Sequence, residues 1–101
     1  MKDERRLSRF QEQTEAALAA ALEWIGLSLV ARRLEGTQET FIRASVRDTD
    51  AEVFIYEDEA ALLGSNVDKR FEAPDYPDGD ALASAFIKQT IDYAKRYVRH
   101  S

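Results

Sequence analysis

A chain of 101 residues with an apolar fraction of 45% is long enough for one domain, residues 1–101, with a core of its own. It has no Cys and a single His, His100, which excludes a disulfide framework and a Cys/His zinc site and removes the usual base of a nucleophilic triad. The net charge of −5 is unevenly spread: residues 51–80 hold nine acids and two bases, whereas residues 1–10 hold four bases and two acids and residues 81–101 four bases and one acid.

Residues 4–25 have helical spacing. Leu7, Phe10, Thr14, Ala17, Leu18, Ala21, Leu22, Trp24 and Ile25 are placed on one side, and Arg5, Arg9, Glu12, Glu15 and Glu23 on the other. The run from Ala16 to Ala21 favours helix, and Gly26 is suited to stop it. Residues 27–34 read as a strand, followed by the turn Glu35-Gly36-Thr37. A second strand over 38–47 puts Thr40, Ile42, Ala44 and Val46 on one face and Phe41, Arg43, Ser45 and Arg47 on the other. After the polar turn Asp48-Thr49-Asp50 comes the strongest strand pattern in the chain, Ala51 to Glu57, rich in β-branched and aromatic residues. A fourth strand is expected from Ala60 to Glu72, interrupted at Gly64-Ser65-Asn66. Connections this short make neighbouring strands antiparallel.

Ala73 to Gly79, with both prolines, forms a loop, and Asp78 or Asp80 caps a last helix running to about Val98. Its apolar residues, from Leu82 and Phe86 to Tyr97 and Val98, cover about half the helix circumference. An arc that wide needs more than one sheet face, so contact with the first helix or a second subunit is expected. The expected fold class is therefore α+β: an N-terminal helix, a three- to four-stranded antiparallel sheet and a C-terminal helix, a two-layer sandwich with both helices on one face. Leu18, Leu22, Trp24, Val53, Ile55, Phe86 and Ile87 are the expected core, with no metal and no cofactor needed to complete it.

The order helix, three strands, helix resembles the double-stranded-RNA-binding domain, a likeness of topology without a shared motif. That family holds phosphates with a basic cluster at the start of its second helix. Here that position reads Asp78-Gly79-Asp80, the wrong sign.

Strand alternation supplies the functional expectation. If Val53 and Ile55 point to the helices, Phe54 and Tyr56 point away, together with Phe41, Arg43 and Arg47. Two helices cover one face only, so these five residues form the candidate binding surface, of the aromatic and arginine composition enriched at interfaces. The expected partner is a protein, a second copy of the chain included, giving a homodimer. The function expected is that of a small non-catalytic regulator of adaptor, chaperone-like, immunity or inhibitor type, in the cytoplasm, with no membrane contact. A nucleic-acid-binding module using the sheet aromatics and the basic last helix is the first alternative. A carboxylate-dependent enzyme using acids such as Glu57, Asp58, Glu59, Asp75 and Asp78 is the second.

Overall fold

The computed structural model describes residues 6–99, so Arg5 and His100 lie outside the described residues. The elements are α1 (Arg9–Trp24), β1 (Leu29–Glu35), β2 (Phe41–Val46), β3 (Glu52–Ile55), β4 (Ala60–Gly64), β5 (Val67–Phe71), a 3-10 turn (Ala73–Asp75) and α2 (Gly79–Tyr97). The strands form one antiparallel meander in the order β1-β2-β3-β4-β5.

Helix α1 begins five residues later than the apolar spacing implies, because Ser8 caps it. The Ser8 hydroxyl accepts from the Gln11 backbone N–H at 3.2 Å, and the Gln11 carbonyl oxygen accepts from the Ser8 N–H at 2.7 Å, a reciprocal capping box. The same Gln11, only 1% exposed, uses its amide nitrogen to donate to the backbone carbonyls of Thr40 (2.7 Å) and Ile55 (3.1 Å). One buried amide thus closes the cap and fastens α1 across β2 and β3. At the other end Gly26 takes a left-handed φ of 77°, as a C′ glycine does. Asp78 caps α2, its carboxylate accepting from the Ala81 N–H at 2.8 Å.

Both helices lie on one face of the sheet. Ile42, Ala44, Val46, Val53, Ile55, Ala60, Leu62 and Phe71 point into them and are buried with Leu18, Leu22, Leu82, Phe86, Tyr93 and Ala94 in one cluster. Phe71 meets Phe86 edge-on at 5.6 Å. The helices run in the same direction. Phe10 of α1 lies against Gly79 at the start of α2, and Ile25 and Leu27 share a hollow with Val98 and Arg99 at the far end.

Other features also differ from the sequence expectation. The sheet has five strands, because the interruption at Ser65-Asn66 is a two-residue hairpin turn that pairs Gly64 with Val67. Trp24 is not core: it is 89% exposed, since it lies about 200° around the helix from the buried Leu22. Ile87 is half-buried at the margin of the core. Strand β1 carries a bulge between Val30 and Arg33, with Ala31 at φ 55°. The extra residue turns Arg32 toward α1, where its guanidinium meets Glu15 at 2.6 Å.

Phe86→Ala is expected to destabilise the protein by about 3–5 kcal/mol, the cost of a buried phenyl-sized cavity. Trp24→Ala is expected to change stability by less than about 0.5 kcal/mol. Urea denaturation followed by circular dichroism measures both, and a large loss at Trp24 would contradict its placement.

Candidate binding face on the open side of the sheet

The register lays out the face away from the helices as a grid. Its middle row, read across the five strands, is Arg33, Arg43, Phe54, Ala61 and Arg70. A second row is Val30, Ser45, Glu52, Leu63 and Asp68. The third begins with the pair Glu35 and Phe41 and continues through Tyr56, Glu59 and Glu72. Phe54 is at the centre.

The three aromatics touch. Phe41 and Tyr56 are 4.9 Å apart between ring centroids, and each is 6.5 Å from Phe54. The Arg43 guanidinium lies over Phe54 at 5.5 Å. All four side chains are half-buried. Around them runs a frame of opposite charges. Glu35 bridges Arg33 (2.6 Å) and Arg43 (3.7 Å), which would otherwise face each other as like charges across the ladder. Arg43 also reaches Glu52 at 3.1 Å, and Arg70 lies between Glu59 (3.8 Å) and Glu72 (3.6 Å). One atom in this frame has no hydrogen-bond partner: Arg43 Nε is closed off from solvent and donates to nothing.

Four of the five sequence-selected residues are therefore brought together: Phe41, Arg43, Phe54 and Tyr56. Arg47 follows β2 in the turn, exposed, and makes none of the ring contacts or ion pairs that join the others. The proline loop does not cover the face. Its Tyr76 packs on Phe71, which points into the helix side. Both sheet edges carry features that disfavour strand addition, a bulge in β1 and the exposed Asp68, Lys69 and Arg70 of β5.

A second polar cluster closes the opposite end of the molecule. The Tyr93 hydroxyl donates to Asp50 at 2.7 Å, and Asp50 also accepts from the Ser65 N–H at 2.8 Å. Gly64 leaves room for the phenol, because a Cβ there would lie 2.5 Å from the hydroxyl oxygen. The hydrogen bonds from Ser65 first, and Tyr93 next, hold the Asp50 carboxyl down to about 2. Burial first, then the hydrogen bond to Asp50, raises the Tyr93 phenol. At neutral pH the acid is ionised and the phenol protonated, each held away from the range where a general acid or base works. Spacing alone could not reveal this pair, which joins the β2–β3 turn to α2 over 43 residues.

The acids and bases separate in space. Glu39, Glu57, Asp58, Glu59, Asp75, Asp78 and Asp80 occupy the turns and helix starts at one end, while Arg47, Lys95, Arg96 and Arg99 lie at the other, where the helices finish. For α2 this complements the helix dipole, with Asp80 in its first turn and Lys95 and Arg96 in its last, whereas α1 has Glu12 in its first turn and no base in its last. Among the described residues no group of His, Cys, Asp or Glu forms a metal-ligand set, and no helix is long and apolar enough to cross a membrane. In comparisons with known proteins, no family model matches the chain, and no curated protein or solved structure does.

Asp50→Asn is expected to lower stability at neutral pH by on the order of 1 kcal/mol, the solvent-screened share of a charged hydrogen-bond pair. Because folding lowers the Asp50 pKa from 3.8 to about 2, the contribution is present above pH 3.8 and is lost as pH falls through about 2. The wild-type and variant denaturation curves should therefore converge on acidification across that window. A constant gap down to pH 2 would show that the carboxylate charge is not what stabilises this end.

Proposed function

We propose that this chain is a small, non-catalytic, cytoplasmic binding protein of regulator or adaptor type that acts through protein–protein contacts made by the open sheet face. The observation that carries the reading is the touching trio Phe41, Phe54 and Tyr56, with Arg43 across it, on the face opposite both helices. Aromatic and arginine side chains at the centre of a patch, ringed by charge, are the usual composition of an interface centre and its rim. The state of Asp50 and Tyr93 supports a structural role for that pair over proton transfer.

The nucleic-acid reading needs the sheet aromatics and the bases of α2 to act together. They are on opposite layers: Lys88, Lys95, Arg96 and Arg99 belong to or follow α2, on the helix side, and Lys88 is already paired with Asp92 at 3.2 Å. The acidic end adds repulsion for phosphate. Duplex RNA or DNA is accordingly expected to bind no tighter than about 10 µM at physiological salt.

A photo-crosslinking side chain at Leu63, the exposed apolar position of the face, tests the reading in native-host cells. The expected product is a protein–protein adduct, lost in the Phe54→Glu, Tyr56→Lys double variant while its circular dichroism spectrum stays that of the wild type. Adducts with nucleic acid instead, or none at all, would remove the proposal. So would a wild type that sediments as a monomer together with a double variant that unfolds, since the face would then be part of the core.

A further inference from the structure

We infer that the occupant of the open face is a second copy of this chain, crossed over the first near a right angle about a two-fold axis running along Phe41, Phe54 and Leu63. The inference rests on the reading of this face as a protein contact surface and names its partner. Along a row of the grid the step is one strand spacing, about 4.8 Å, and along a strand the same-face step is about 6.8 Å. The two steps are close enough that a copy turned by about 90° can lay its columns on these rows, the orthogonal mode of sheet packing.

A two-fold axis lying in the interface can run four ways through Phe54, and the charges choose among them. Along the middle row it would set Arg33 on Arg33 and Arg43 on Arg43. Along β3 it would set Glu52 on Glu52 and Arg33 on Arg70. Along the diagonal from Ser45 to Glu59 it would set Glu59 on Glu59. The remaining diagonal carries only apolar side chains, Phe41, Phe54 and Leu63, each meeting its own copy. Off that axis, Glu52 of one copy falls beside Arg70 of the other, and Tyr56 falls between Arg33 and Arg43 of the other. Like charges meet only at the two outer corners. At one, Glu35 is already neutralised by Arg33 and Arg43; at the other, Asp68 faces solvent.

Five strands by three rows, with side-chain margins, cover about 25 by 20 Å, and two such patches crossed near a right angle overlap over about 20 by 20 Å, so the pair buries about 800 Å² in total, the size of a weak, transient contact. The dimer is therefore reversible, with a dissociation constant on the order of 1–100 µM.

Sedimentation equilibrium of the full chain across that range tests it with two charge swaps, Glu52→Arg and Arg70→Glu, both at positions with solvent-exposed side chains. Each variant alone sets like charges across the axis and is expected to weaken association at least tenfold. Their equimolar mixture is expected to recover wild-type affinity as a heterodimer. There the introduced arginine of one chain faces the introduced glutamate of the other, and the native Glu52–Arg70 pair survives on the opposite side. Since the chain has no Cys, Leu63→Cys adds its only thiol. On the axis, two such thiols should be joined by a bis-maleimide spanning about 10 Å, the separation of packed sheets, whereas Ser84→Cys on the helix layer should not. A mixture no tighter than the single variants, or equal crosslinking at both thiols, overturns the crossed register. A monomeric wild type overturns the second copy as partner. In that case a heterologous protein captured at Leu63 leaves the contact-surface reading standing, while no capture removes both.

Discussion

The outer surface of this protein follows from the pleat of β3. Val53 and Ile55 must enter the core, so Phe54 and Tyr56 must leave it, and the regular ladders on both sides of β3 hold that alternation, the register shift lying out in β1. What remains is which side the helices take. Gln11 settles that for α1, because its amide reaches the Thr40 and Ile55 carbonyls only from the side of Ile42 and Ile55. Tyr93 and Phe86 settle it for α2, one through Asp50 and the other through Phe71. With both helices fastened to the same side at opposite ends, the aromatic face has no internal partner among the described residues.

The two fastenings differ in kind. Gln11 is nearly fully buried, and its side chain is satisfied through three hydrogen bonds, so its removal would take a donor from the Thr40 and Ile55 carbonyls near the core. Asp50 and Tyr93 work at the rim, where a charge can be kept hydrated on one side. Tyr93 belongs to α2, which starts among acids and finishes among bases.

The alternation of 41–47 and 51–57 makes the inward and outward sets legible in the sequence, and Gly26 marks the end of α1; for the α2 cap the sequence offers Asp78 or Asp80, and the structure uses Asp78. The face could be read because a period of two leaves no third choice. Other features were hidden for physical reasons. The bulge at Ala31 lacks the glycine that marks a left-handed position. Trp24 sits in an apolar run whose alanines blur the helical stripe, so its hydrophobicity suggested burial against its own wheel position. The hairpin at Ser65-Asn66 carries weaker turn chemistry than Asn-Gly, so β4 and β5 looked like one interrupted strand. The frame around Arg43 depends on partners from three strands, which only the register brings together.

That frame changes what an aromatic face means for a small protein. Bare aliphatic surface of this extent would favour indiscriminate association. Here Arg43 lies across Phe54, and carboxylates hold Arg33, Arg43 and Arg70 in place, so a basic row lies between two acidic rows around a small apolar centre. A partner gains by covering the rings only if its own charges fall in the complementary order, since a wrong order leaves desolvated like charges in contact. The aromatic centre provides the attraction and the ion frame provides the rejection. The same frame narrows the axes on which the face can meet itself to one.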